Sequence, residues 1–193
     1  MIPFNHLGWA FKYIGPSAYP SKVLKELCDF LKPVQNNASV LDIGAGTGVM
    51  CEFAHKCRDD FDYIAVDPAE GMLKFSSPYI QTHKATAEAL PFDDESFEVI
   101  FMGEALHHFQ DVDKAIQESV RVLKKEGKLF IYDFDVSTFM GKSICMGEKL
   151  LGEPGNFFAP ESLKKKLENV GFFVVVKRHG WRYTIHAQFD IKS

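Results

Sequence analysis

The sequence predicts an α/β fold: a mainly parallel sheet with helices on both faces and a C-terminal antiparallel hairpin. Three observations predict it. Apolar runs of strand length alternate with longer amphipathic segments, the pattern of βαβ units. A glycine-rich turn, residues 44–48, follows the first of these runs. Two strand-like runs close the chain with only His179, Gly180 and Trp181 between them, too short a link for a parallel pair.

The elements follow in order. In Ser21–Leu31, the residues Val23, Leu24, Leu27, Phe30 and Leu31 fall on one helical face, and Pro33 stops the helix. Ser39–Ile43 reads as a buried strand, and Val49–His55 as a helix with Val49, Met50 and Phe53 inward. Residues 63–66 form the next strand, ending at Asp67, with a helix near 69–75. Residues 81–86 are a short third strand and 97–102 a fourth. Residues 112–124 are an amphipathic helix that starts at Asp111 or Val112 and ends at Gly127. Residues 128–133 are a fifth strand. Residues 160–170 form a helix closed by Gly171, and 172–178 and 182–189 pair as the hairpin. In an open α/β sheet, ligands bind beyond the carboxyl ends of the strands. The turns after Ile43, Val66, Thr86, Met102 and Asp133 therefore mark the candidate site.

With 193 residues, 46% hydrophobic and 25% charged, the composition fits one globular domain over 1–193, with no internal repeat. Within it, residues 1–35 are expected to form an N-terminal helical lid and 134–159 a variable substrate-side segment. The net charge of −4 lacks the broad positive field that favours nucleic acid, so no nucleic-acid partner is expected. Residues 1–15 lack the basic start and long apolar run of a signal peptide. No stretch is apolar enough to span a bilayer, so a cytoplasmic protein without stable membrane insertion is expected. The four cysteines form no C-x-x-C pair. They read as reduced thiols, and no metal site is expected.

The strongest local signal is Val40-Leu41-Asp42-Ile43-Gly44-Ala45-Gly46-Thr47-Gly48. Glycines after a strand let the backbone bend sharply and approach a ligand closely. The G-x-G-x-x-G dinucleotide fingerprint needs glycine where Val49 stands, and no G-K-S/T follows for a P-loop. Roughly 20 residues on, Asp67 ends the second strand, where an acid accepts hydrogen bonds from ribose hydroxyls. Turn and acid together point to an adenosine-type ligand. The plainer reading is a tight strand-to-helix turn with Asp67 capping the helix before Pro68.

These motifs resemble class I S-adenosylmethionine (SAM)-dependent methyltransferases, in the methyltransferase type 11 group that includes the ubiquinone/menaquinone-biosynthesis enzymes. The resemblance covers roughly 40–173. Besides the glycine turn, it rests on Ala65-Val66-Asp67-Pro68 with Gly71-Met72-Leu73, on Ala87-Glu88-Ala89-Leu90-Pro91-Phe92, and on Phe97-Glu98-Val99-Ile100 through Leu106-His107-His108-Phe109. Leu123-Lys124-Lys125-Glu126-Gly127-Lys128-Leu129 and Pro160-Glu161-Ser162-Leu163 through Gly171-Phe172 complete it. It implies a Rossmann-like fold, an enzyme that uses SAM, and S-adenosylhomocysteine as product. It also implies that Gly44, Ala45 and Gly46 line the methionine end of SAM and that Asp67 holds the ribose. Pro68 and Met72 would lie against the adenine, Ala87 and Glu88 beside its amino group, and Met102 and Gly103 beside the sulfonium. Asp42 would orient the turn or the SAM ammonium. Thr86 stands where the family commonly has aspartate, and a hydroxyl is a weaker acceptor than a carboxylate. Met102-Gly103 stand where asparagine or serine is common.

Methyl transfer from a sulfonium chiefly needs alignment, with a general base only where the acceptor must lose a proton. His107 and His108, just past the fourth strand, are the base candidates. Against this stands packing or local capping by the same pair. Neighbouring residues on a helix point apart, so the two are not expected to share a metal. Phe4, Trp9, Phe11 and Tyr13, with Phe139, Met140, Met146, Phe157 and Phe158, would form a partly apolar pocket for a small molecule, or simply pack. Residues 152–155 read as a mobile turn, and Lys164, Lys165 and Lys166 as a solvated face. Two other readings stay open: a quinone-type methyltransferase at the membrane surface, and a SAM-binding protein without transferase activity. Oligomeric state is not legible.

Overall fold

A computed structural model describes residues 4–152 and 155–189, with side chains from residue 8 onward. One sheet of seven strands organises the chain in the order β3-β2-β1-β4-β5-β7-β6. Strands β1 (Ser39–Ile43), β2 (Asp62–Val66), β3 (Ile80–His83), β4 (Phe97–Gly103) and β5 (Leu123–Phe134) run parallel. Strands β6 (Phe172–His179) and β7 (Arg182–Phe189) form the antiparallel hairpin, with β7 docked on β5. The helices are α1 (Phe4–Ile14), α2 (Ser21–Leu31), α3 (Val49–His55), α4 (Glu70–Leu73), α5 (Val112–Val122), α6 (Phe139–Leu150) and α7 (Pro160–Glu168), with 3-10 turns at Gly15–Ala18 and Leu106–His108.

Side chains alternate across each strand, so one strand feeds two cores. Val40 of β1 packs with Val23 and Leu27 of α2 and Met50 of α3, alongside Phe101 and Phe130. Its neighbour Leu41 faces the other side, with Ile100, Ala115 and Ile116 of α5, and Leu163 and Leu167 of α7. The central strands carry almost unbroken apolar runs because both of their faces are covered. Each fully buried Phe or Leu there contributes about 1.5–3 kcal/mol by leaving water.

The structure departs from the sequence reading at four places. Helix α5 stops at Val122, and Leu123 already pairs with Phe97 in β5, with a register shift before Val99. Gly127 therefore caps no helix. A Cβ there would sit 2.5 Å from Leu123 Cγ, so glycine lets the strand fold over that buried side chain. The third strand spans Ile80–His83 and leaves Thr86 in an exposed turn. Nearly half of the segment expected to be variable is helix α6, started by Thr138, whose hydroxyl accepts a hydrogen bond from Gly141 N at 3.1 Å. Cys28 and Cys57 are joined in a disulfide, while Cys51 and Cys145 are free. Spacing rules for nearby cysteines miss a pair that only the packing of α2 beside α3 brings together.

Helix α1 packs on α4, where Gly8 lies so close that a Cβ would meet Phe75 at 2.6 Å and Gly71 O at 2.7 Å. Tyr132 donates its hydroxyl hydrogen to Ala18 O at 2.9 Å, tying the N-terminal segment to β5. Among the described residues, no helix is long and apolar enough to cross a membrane.

Candidate active site

The glycine turn leaves β1 at the carboxyl edge of the sheet. Gly44, Gly46 and Gly48 have φ of 71°, 55° and 78°, values that L side chains rarely adopt. The turn is pinned to β2 by Gly44 N and Ala45 N, which donate to Val66 O at 2.8 and 3.0 Å. Asp67 clasps it from the next strand: Oδ2 accepts from Gly46 N at 2.8 Å and Oδ1 from Ala69 N at 2.7 Å. Asp67 thus ties the glycine turn to the chain entering α4 but caps no helix, since the N-cap of α4 is Ala69 and no side chain bonds there. Each carboxylate oxygen nevertheless keeps a lone pair that could accept a ribose hydroxyl. A Cβ on Gly46 would lie 3.2 Å from Met72 Cε, which puts Met72 against the turn.

Asp42 is buried beneath the turn. Cys51 donates its thiol hydrogen to Asp42 Oδ2 at 3.6 Å, while Oδ1 has no hydrogen-bond partner among the described residues. Burial raises its pKa to about 7, with the nearby Asp67 charge adding to the rise and the Cys51 bond opposing it. An orphaned buried acceptor of this kind suits a cationic ligand group. The sign of the cost follows. Below pH 4 both folded and unfolded chains hold the proton. Between pH 4 and 7 the unfolded chain alone releases it, so the folded state loses ground, and above pH 7 the loss is complete. Asp42→Asn is therefore expected to raise the melting temperature at pH 8, by roughly 1–3 kcal/mol in stability, with the gain shrinking toward pH 4. Thermal melts across that range check it, and a variant no more stable than the parent at pH 8 would refute the strained-carboxylate account.

The remaining sequence candidates separate. Pro68 is exposed and Ala87 is buried in the core. Glu88 Oε1 accepts from Gln110 N and Asp111 N, at 2.8 and 3.1 Å, and so holds the loop before α5. The Met102 side chain is buried in the core with Leu106 and Ile131, so only its backbone reaches the edge. Gly103 is hemmed in: a Cβ would meet Met50 Cγ at 2.5 Å and Tyr19 Oη at 2.6 Å. Tyr19 thus reaches the end of β4 from the N-terminal segment. The side chain of Phe4 and residues 153 and 154 lie outside what is described. Trp9, Tyr13, Phe139, Met140 and Met146 are exposed, whereas Phe157 joins the site.

His107 is 1% exposed, and its Nδ1 meets Asp133 Oδ1 at 2.7 Å. Burial alone pushes an imidazole pKa down, but the Asp133 carboxylate outweighs it and the net shift is upward. Phe157 stacks on the ring at 4.5 Å between centroids, and Phe134 lies at 5.2 Å. His108 behaves oppositely: burial, then the neighbouring His107, depress its pKa to about 3. The two rings are expected to diverge, yet the 3-10 turn holds their centroids 4.1 Å apart.

Several residues of this edge escaped the sequence reading. Glu104 follows β4 with φ of 52° and meets Arg182 at 2.6 Å. Burial raises its carboxyl pKa to about 7 against the pull of that guanidinium. Arg182 lies over the Trp181 and Phe134 rings at 3.9 and 4.9 Å, a cation–π stack beside the site. Glu148 of α6 reaches within 3.6 Å of His107 Nε2. An acid at the carboxyl end of a central strand, as Asp133 is, was the one visible signal.

A family model described as a methyltransferase domain matches residues 41–131. The YcgJ protein of Bacillus subtilis, named an uncharacterized methyltransferase, is 38% identical over 49% of this chain and 40% of its own length. The ubiquinone/menaquinone biosynthesis C-methyltransferase UbiE of Idiomarina loihiensis is 32% identical over 52% of this chain and 44% of its own. The chain thus spans less than half the length of these relatives. A Thermotoga maritima structure, described as a SAM-dependent methyltransferase and possible histamine N-methyltransferase, superposes with a TM-score of 0.74 at 24% identity, over 97% of this chain and 98% of that one. Residues 41–131 accordingly match a methyltransferase domain, and the chain has the Rossmann-like class I methyltransferase fold.

Proposed function

We propose that this chain transfers the sulfonium methyl of SAM to a small, partly apolar acceptor. The observation that carries the reading is the strained glycine turn held by Asp67, above a buried carboxylate with a free acceptor. SAM bound there would supply an activated methyl for the acceptor, the electron pair of the broken sulfur–methyl bond staying on the sulfur of S-adenosylhomocysteine. The protein's own work is positioning. Gly44, Ala45 and Gly46 would bring backbone close to the ligand, Asp67 would accept from the ribose, and Asp42 would orient the turn or the ammonium. Met72 lies beside the turn on the adenine side, with Pro68, Thr86, Ala87 and Glu88 further along that edge. Met102 and Gly103 close the edge through their backbone, and Tyr19 covers Gly103. Where the acceptor carries a proton, it passes to His107 Nε2, with Asp133 holding the ring and its Nδ1 hydrogen. His108, pushed toward the neutral form, is the weaker base.

Calorimetric titration with SAM and with S-adenosylhomocysteine tests the cofactor reading. Both are expected to bind saturably, and Asp67→Ala to weaken both at least tenfold, because two lost charge-assisted hydrogen bonds are worth more than about 1.4 kcal/mol. Equal affinities for parent and variant would remove Asp67 from the site. A quinone-like acceptor is favoured by the UbiE relative and by the exposed Phe139, Met140, Met146 and Leu150 of α6.

A further inference from the structure

We infer that His107, His108 and Glu148 form a binding site for one divalent transition-metal ion of the zinc class, beside the glycine turn but independent of it. Each of the three offers one ligand atom, and these atoms all lie within 4.8 Å of one another. His107 Nε2 and Glu148 Oε2 are 3.6 Å apart. Donors on a tetrahedral zinc, at bonds of about 2.0–2.1 Å, sit about 3.3–3.5 Å from each other, so the His107–Glu148 pair is near that spacing and the rest of the trio must draw in by up to about 1.5 Å on binding.

Three features of the surroundings suit a metal better than a chance contact. First, His107 is oriented as metal-bound imidazoles are: Asp133 holds Nδ1 at 2.7 Å, which fixes the tautomer and turns Nε2 toward Glu148. Second, the turn is rigidly anchored. Asn156 N donates to His107 O at 3.0 Å, and Asn156 Nδ2 to Phe109 O at 2.6 Å. Third, the ring is stacked on Phe157 and flanked by Phe134, an apolar shell that limits competition from water. Two imidazoles and one carboxylate are a zinc-type donor set that leaves one coordination position for water or an acceptor oxygen. The helix bearing Glu148 comes from the segment after β5, so the third ligand would join the site only when α6 is docked. When the metal is bound, His107 Nε2 is a ligand and accepts no proton.

The test uses the whole chain after chelator treatment, titrated with Zn²⁺ alone by calorimetry and with Co²⁺ by visible absorption. One equivalent of Zn²⁺ is expected to bind, with Co²⁺ giving the intense visible bands of a four-coordinate site. Glu148→Gln and His108→Gln should each weaken Zn²⁺ at least tenfold, and Asp133→Asn about 10–100-fold by loosening the His107 ring that it orients. Cys145→Ser should leave affinity unchanged. Glu148→Gln keeps the volume of a side chain on an outer helix and guards against a folding artefact, which circular dichroism checks. No Zn²⁺ uptake by the parent, or uptake undiminished in Glu148→Gln and His108→Gln, would overturn the site. S-adenosylhomocysteine titrated into the same samples separates the two ideas. Its binding without Zn²⁺ uptake defeats the metal site alone, and Zn²⁺ uptake without its binding defeats the cofactor reading alone.

Discussion

Gly44→Val is expected to abolish saturable binding of SAM and S-adenosylhomocysteine and to cost about 3 kcal/mol of stability. Two independent effects add. At a φ of 71° a β-branched residue sits in the left-handed region, at a cost of about 1–2 kcal/mol. Its Cβ would also lie 2.6 Å from Ala105 Cβ and 3.2 Å from Phe109 Cε1. Overpacking of that kind costs about 1–3 kcal/mol more. The turn cannot simply retreat, because Gly44 N and Ala45 N are bonded to Val66 O on the opposite side. Relief must push it off β2 or off the loop after β4, and either movement separates the backbone from Asp67. The comparison is Gly147→Ala in α6, where a Cβ would meet nothing within 4 Å. That change should be neutral, or stabilising by up to about 1 kcal/mol from helix propensity, with unchanged affinity. Calorimetry and thermal melts of both variants decide the matter. If Gly44→Val bound either ligand within threefold of the parent, the turn would not be the ligand's cradle.

The two halves of this site were unequally legible. Ser39–Ile43, Val49–His55 and Ser21–Leu31 are where the periodicity puts them, because each is short, bounded by glycine or proline, and decided by its own burial pattern. The cofactor edge was legible for a related reason: a strained turn and the acid that clasps it need glycines and an aspartate at fixed local positions. The acceptor side was not. His107 meets Asp133 across β4 and β5, and Glu148 arrives from α6, so the cluster exists only once three distant segments are packed. Helix α6 itself has a weak local signal, since two of its residues are glycine and most of its apolar side chains face outward. Gly127 does not mark the end of α5, because packing over Leu123, and not helix capping, is what requires glycine there. Glu104 and Arg182 form another long-range pair of this kind, and nothing near either residue announces it.

The acceptor side yields the second large effect. His107→Ala, assayed in chelator-treated protein with the acceptor that a substrate screen returns, is expected to lower kcat by about 10²–10⁴-fold with little change in KM for SAM. The imidazole is not part of the turn that holds the cofactor, so affinity for SAM should survive while proton removal fails. Asp133→Asn should lose a smaller part of kcat, because the ring stays in place on Phe157 while its Nδ1 loses a charged partner. His108→Ala should cost less again, since a ring so strongly pushed toward neutrality accepts a proton poorly. Glu148→Gln then tells proton transfer from metal activation. Without metal it should lower kcat only modestly, because Glu148 lies 3.6 Å from Nε2, beyond a strong hydrogen bond, while its charge helps to raise the His107 pKa. With Zn²⁺ present, the same variant should lose whatever rate the ion adds. A His107→Ala variant with full kcat would show that the acceptor gives up no proton to this ring, and the His107–Asp133 pair would then be part of the packing between β4 and β5.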